Sequence, residues 1–249
     1  MNWQLSIVFC VLLLFFASCE DKKTPSQNST SEAPEVKETI QPDTAARDNT
    51  KVKKVVEAEE KTPKREGPVI VQEEFLPFMM RYNKEHDENQ VRIKTRFGNI
   101  DVELYRDTPL HRANFLYMVN NDYYDGTFFH RVADGFVIQG GNSDNPDTNK
   151  KRFKIGDYLI PSEFDAGHKH VRGALSAAKY AEQNVSKASS PYEFFIVQSE
   201  RGAHHLDNDH TVFGRVISGM DVVDKINKVP VDQSEWPLTN IHIEMEILD

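Results

Sequence analysis

An arginine, an amide, several large apolar side chains and a glycine pair stand together in Phe128 to Gly141, FFHRVADGFVIQGG. Read at period two, Phe129 and Arg131 share one face of a first strand. Beyond the Ala133-Asp134-Gly135 turn, Val137 and Gln139 share one face of a second strand. Val132 and Ile138 then point the other way, into a core. A guanidinium beside an apolar hollow, with no nucleophile next to it, suits binding and polarising a substrate rather than cleaving a bond. The plainer reading of the string is a buried hairpin whose arginine makes an internal salt bridge. His130 is expected to face away from Arg131 and to be structural.

Other chemistries find less support. Ser176 lies in GALSAA, which lacks the second glycine of a nucleophile elbow. His204, His205 and His210 with Asp207 and Asp209 read as a polar loop with one pocket histidine rather than as a metal cluster. Asp207-Asn208-Asp209 opens like a calcium loop, but the sixth and twelfth places hold Val212 and Ser218 instead of Gly and Glu. Both cysteines, Cys10 and Cys19, precede the folded region, which therefore has no thiol nucleophile, disulfide or thiolate zinc site. No metal and no cofactor is expected. A net charge of -9 without a dense basic cluster argues against nucleic acid as a partner.

The elements that position these residues emerge along the chain. Leu5 to Ala17 is an apolar or small run of signal-peptide length ending in Phe16-Ala17-Ser18-Cys19, followed by charge. It resembles the lipobox of bacterial lipoproteins, with residues 1–18 as the leader and Cys19 as the lipidated residue. The resemblance is incomplete, because no Lys or Arg precedes the run and Phe16 replaces the usual Leu. A plain cleaved signal or an uncleaved anchor is the alternative. Residues 19–72 carry no aromatic side chain and are rich in Lys, Glu, Thr, Pro and Ser, so they read as a disordered tether. Its root-mean-square reach is about 40 Å, at roughly 5 to 6 Å times the square root of length. The localisation implied is the bacterial cell envelope, lipid-anchored on the periplasmic side or cell surface. Residues 73–90 read as a short helical collar, interrupted near its start by Pro77, that packs on the domain; a partner-binding helix is the sharper alternative.

Regular alternation begins at Val91. Val91, Ile93 and Thr95, then Ile100, Val102 and Leu104 across Gly98-Asn99, predict a hairpin with one wet face. Thr108 as cap and Pro109 as first residue predict a helix through about Val119. A polar loop is expected over Asn142 to Lys151. Short strands are expected at Leu159-Ile160, Gly173 to Ala178, Phe194 to Gln198, Val212 to Ile217 and from Ile241 to Ile247, with a second helix over Met220 to Asn227. Many short strands and only two core helices predict a mainly β barrel or sandwich.

FFHRVADGFVIQGG, GALSAA, EFFI (Glu193 to Ile196) and HLDNDHTVFGRV (His205 to Val216) stand in the order and near the spacing of one family. Residues 91–249 resemble cyclophilin-type peptidyl-prolyl isomerases. The resemblance implies a closed eight-stranded antiparallel β-barrel capped by two α-helices, with the groove on its outer surface. It implies that Arg131 is the catalytic arginine, that Phe136, Val137, Phe195 and Leu206 seat a proline ring, and that Gln139 orients the substrate. His210 falls at the pocket edge, and Ala178 and Lys179 fall where main-chain groups hold the peptide as an added strand. The partners implied are proline-containing polypeptide segments, bound by a monomer. Three positions depart from the family's usual residues: His205 stands for Trp, Glu193 for Gln and Lys179 for Asn. With His205, weak cyclosporin inhibition is expected; Glu193 is expected to pair with Arg131 and hold it.

Overall fold

The structure, a computed structural model, describes residues 68–180 and 185–248. The leader 1–18, Cys19 and the expected tether as far as residue 67 lie outside the described residues. In chain order the elements are β1 (Ile70–Val71), α1 (Gln72–Glu85), β2 (Gln90–Thr95), β3 (Gly98–Leu104), α2 (Pro109–Asn120), β4 (Phe128–Ala133) and β5 (Val137–Asn142). There follow α3 (Pro146–Ile155), β6 (Gly156–Asp157), β7 (Ala174–Ala177), β8 (Phe194–Val197), β9 (Val212–Ser218), α4 (Met220–Asn227) and β10 (Glu244–Leu248).

Eight strands form one antiparallel sheet in the order β10-β2-β3-β9-β7-β8-β5-β4. The expected β2–β3 alternation is present: Val91, Ile93, Ile100, Val102 and Leu104 are buried, and their neighbours are not. A continuous ladder closing the expected barrel is not shown: the hydrogen-bonded strand order ends at β4 and β10. Among the described residues those edges are joined by a Phe128–His242 bridge and main-chain bonds from Gly126 to Ile243, Ile243 to Thr127 and Phe129 to Ile241. Further along β4, the Val132 N–H is met instead by the carbonyl of Glu235, a loop residue, at 2.8 Å. Once a loop satisfies that donor, no strand is needed there.

Four α-helices occur among the described residues: the expected collar α1, the two expected core helices α2 and α4, and α3, which was not expected. The stretch expected as a polar loop holds the first half of α3, which continues to Ile155. Its start carries signals that its polarity obscured: the Asn145 side chain accepts from the Asp147 N–H at 2.9 Å and Pro146 opens the helix. Helix α1 is continuous through Pro77 and docks on α2. Phe75 and Met79 are buried, Phe75 stacks on Tyr158 at 4.9 Å, and Phe78 meets the Tyr117 ring edge-on at 5.3 Å. The domain also starts earlier than residue 73, because β1 pairs in parallel with β6 and buries Ile70.

Helix α2 starts where Thr108 and Pro109 place it, but Thr108 does not cap it; its hydroxyl donates to the Tyr105 carbonyl. Glu163 caps it instead, accepting from the N–H groups of Leu110 at 2.9 Å and His111 at 3.0 Å. A carboxylate some fifty residues downstream leaves no local trace in the sequence. Leu159-Ile160 forms no strand, only an isolated bridge from Ile160 to Ser189.

The main core lies between the sheet and helices α1, α2 and α4, with Phe115, Phe129, Phe194 and Phe213 at its centre. A second, smaller cluster sits on the sheet's other side: Ala133, Val137, Ala174, Ala178, Phe195, Val197, Ala203 and Val212, with Phe136 and Leu206 against it.

Candidate active site

The placement of Arg131 depends on a β-bulge. On β4, Phe129 pairs with Gly140 and Arg131 with Gln139, so two residues advance on one strand against one on the other. The bulge at His130 resets the alternation. Phe129 enters the core and Arg131 emerges on the outer side, correcting the expectation that they share a face. Gly140 is required opposite Phe129, since a Cβ there would press on Ile243, Phe194 and Phe129.

A hollow of about 130 Å³ opens on this side. It is lined by Arg131, Phe136, Val137, Gln139, Ala178, Lys179, Phe195, Leu206 and His210, all of them expected from the sequence. Strand alternation delivers Val137 and Gln139 from β5, and the β5–β8 register sets Phe195 opposite Gln139. A 3-10 turn at His204–Leu206 brings Leu206, whose carbonyl accepts the His210 N–H at 3.0 Å. His205 lies outside the hollow and stacks on Phe136, ring centres 5.4 Å apart. Phe194 and Phe195, adjacent on β8, divide between core and groove, whereas Phe128 packs edge-on against His242.

Arg131 is held by Glu235, not by Glu193: Nε donates to Glu235 Oε2 at 2.7 Å. Among the described residues the terminal nitrogens make no hydrogen bond. Glu193 instead accepts from Gln139 Nε2 and Asn142 Nδ2, each at 3.0 Å, and from Arg152 Nη2 at 3.3 Å. Burial raises the Glu193 pKa, but the nearby His130, Arg152 and Gln139 outweigh it and hold the carboxyl below its ordinary range. A carboxylate only accepts, so the Gln139 amino group turns to Glu193 and its carbonyl oxygen turns away. His130 Nε2 sits 3.5 Å from Glu193, so the bulge places this ring at the groove's flank rather than facing away.

Ala178 departs from expectation. Its N–H donates to the Glu193 carbonyl at 2.9 Å, and its own carbonyl accepts from Ser190 at 2.8 Å. Glu193 and Ser190 thus take up main-chain groups that an added peptide strand would otherwise meet. The Lys179 ammonium folds onto Asp209 at 2.8 Å and lowers that carboxyl's pKa.

Two imidazoles support Phe195. His210 meets it edge-on and donates from Nδ1 to the Ala177 carbonyl at 3.0 Å. His170 stacks on it nearly parallel, ring centres 5.8 Å apart, with Nδ1 on Asp207 at 2.9 Å and Nε2 on Ser176 Oγ at 3.0 Å. Burial pushes both histidine pKa values down. Asp207, His170 and Ser176 form a carboxylate–imidazole–hydroxyl row, but Ser176 is fully buried and its hydroxyl donates to the Thr211 carbonyl. No substrate reaches it, which removes the hydrolase reading.

Sequence reasoning missed His170, Glu235 and Arg152. His170 stands three residues before the GALSAA motif and carried only proximity as a signal. Glu235 and Arg152 lie in segments without a motif and reach the site through tertiary contacts alone.

A mainly β domain with an arginine at the rim of an outer apolar hollow is built to bind a small apolar group beside a fixed donor. The profile described as cyclophilin type peptidyl-prolyl cis-trans isomerase/CLD matches residues 90–246. A peptidyl-prolyl cis-trans isomerase of Acinetobacter baylyi is 42% identical over 144 residues, 56% of this chain and 72% of that protein. Peptidyl-prolyl cis-trans isomerase-like 2 of Rhizopus delemar is 37% identical over 178 residues, 71% of this chain but only 31% of that protein's length. The crystal structure of a Cryptosporidium parvum cyclophilin type peptidyl-prolyl cis-trans isomerase in the presence of dipeptide Ala-Pro superposes with a TM-score of 0.54 at 28% identity, covering 64% of this chain and 99% of that one. The chain belongs to the cyclophilin type peptidyl-prolyl cis-trans isomerase family, enzyme class 5.2.1.8.

Proposed function

We propose that the groove accelerates rotation about Xaa-Pro bonds in extended polypeptide segments. The observation that carries this reading is Arg131 at the rim of a small apolar hollow floored by Phe195, Val137 and Leu206. The hollow suits a pyrrolidine ring, and the solved relative crystallised with Ala-Pro supports that ligand class. Twisting the imide breaks amide resonance against a barrier of about 18 to 20 kcal/mol and returns a lone pair to the prolyl nitrogen. A terminal nitrogen of Arg131, always protonated, donates to that lone pair at mid-rotation. One charged hydrogen bond contributes about 1.5 to 3 kcal/mol, whereas thousandfold acceleration needs about 4 kcal/mol. The remainder is assigned to the apolar seat, which fixes the ring while the preceding carbonyl turns, and to the Gln139 amide held by Glu193. No covalent intermediate is required.

The clients are proposed to be exported or envelope proteins, reached from a lipid anchor at Cys19. Metabolic palmitate labelling tests that part: no label on the wild-type chain contradicts it. For the chemistry, the test is acceleration of cis-to-trans conversion in an Xaa-Pro peptide by the full-length chain. Acceleration abolished by an excess of proline peptide supports the proposal. Saturable binding without acceleration makes the protein a proline-segment binding module instead.

A further inference from the structure

The partner of Arg131 comes from an unusual piece of backbone. Glu235 has φ +63, a left-handed conformation that costs any residue with a Cβ and favours glycine. The backbone around it is fastened: its N–H donates to the Asp232 carbonyl at 3.1 Å and its carbonyl accepts the Val132 N–H at 2.8 Å. The Asp232 side chain ties the same turn by accepting from the N–H groups of Ser234 at 2.8 Å and Trp236 at 3.0 Å. Trp236 in turn packs beside His130, the bulged residue next to Arg131. All of these main-chain bonds would survive with glycine at 235. What glycine would not supply is the carboxylate on Arg131 Nε at 2.7 Å.

That ion pair is not a device for stability. Both side chains are more than a third exposed, and such pairs contribute little to folding. Its effect is geometric: with Nε engaged by Glu235, the guanidinium plane is fixed and the terminal nitrogens are left as the donors for a ligand in the hollow that Arg131 lines. We propose that Glu235 is a positioning residue for Arg131, kept in a strained backbone conformation so that the arginine is aimed before substrate arrives. This rests on the isomerase reading above and assigns to the loop after α4 a part in the reaction.

The test compares Glu235→Gly, Glu235→Gln, Arg131→Ala and the Arg131→Ala/Glu235→Gly double variant in the full-length chain, measuring isomerisation kinetics and thermal midpoint. Glu235→Gly relieves the backbone and removes the carboxylate. Its midpoint is expected to hold or rise while kcat falls on the order of fivefold, with KM little changed, because a misaimed donor weakens the transition state rather than ground-state binding. Glu235→Gln retains an acceptor oxygen and is expected to restore most of the rate. The double variant is expected to be no slower than Arg131→Ala alone, as required of residues acting through one another. A wild-type kcat in Glu235→Gly, a rate loss matched by a falling midpoint, or failure of Glu235→Gln to rescue overturns the inference. If Arg131→Ala is silent, the isomerase mechanism itself fails and this inference falls with it. If Arg131→Ala is severe and Glu235→Gly silent, only the role of Glu235 is refuted.

Discussion

Phe129 and Arg131 are separated by one residue, yet one belongs to the interior behind the sheet and the other to the groove in front of it. The two regions are built differently. The interior is filled by large side chains in mutual contact, with Phe129, Phe115 and Tyr124 all packed around Phe194. The outer cluster is mostly alanine and valine around one aromatic floor, Phe195, and those short side chains leave a hollow open. Polar groups at the groove are each tied to a partner: Arg131 to Glu235, Gln139 to Glu193, His210 to the Ala177 carbonyl. Stability therefore resides behind the sheet in interchangeable apolar contacts, and function in front of it in the direction of a few donors.

The largest expected effect that sharpens this division is on stability. Phe129→Ala should lower unfolding free energy by about 3 to 5 kcal/mol in urea titrations while leaving the kcat/KM of folded molecules within about threefold of wild type. A stability change under about 1 kcal/mol would show that the bulge does not send Phe129 inward. A smaller effect comes from pH, through the two histidines that brace Phe195. Burial lowers both pKa values, so the unfolded chain takes up protons that the folded chain resists. Their contribution is complete above the unfolded value of about 6.5 and is lost as pH falls through it toward the lower folded values. The thermal midpoint should drop between about pH 7 and pH 5.5; a flat or rising profile there contradicts the lowered pKa values of the buried pair. The smallest effect concerns Glu193. Because it holds Gln139 rather than Arg131, Glu193→Gln should reduce kcat/KM by less than about tenfold, and a larger loss would mean that its charge acts on the reacting bond.

How much of this was legible in the sequence follows from the range of each interaction. Val137 and Gln139 on one face, Ile138 and Val132 on the other, and Phe194 and Phe195 divided between core and groove could be read from alternation, because strand geometry is local. The bulge at His130 was not, since it is set by pairing with β5, where Gly140 makes room for Phe129. The motif resemblance located all the residues that line the hollow, but not what holds them. Glu235 acts on Arg131 across 104 positions, and Arg152 on Glu193 across 41, so neither carries a local signature. Helix α3 is the reverse case: Asn145-Pro146-Asp147 was a readable start, masked by the polar residues that follow. Of the expected barrel the structure shows an eight-stranded sheet, and nothing in the alternation of Ile241 to Ile247 indicates that the Val132 N–H of β4 is taken up by the Glu235 carbonyl.

The central claim is that a permanently charged donor at position 131 meets the prolyl nitrogen in a seated ring, and Arg131→Ala tests it most directly. Measured on an Xaa-Pro peptide with the full-length chain, kcat/KM should fall by more than about tenfold, the loss expected for one charge-assisted hydrogen bond. The thermal midpoint should stay near the wild-type value, because the arginine is half-exposed on the outer side. A variant that isomerises the peptide at close to the wild-type rate would contradict the mechanism.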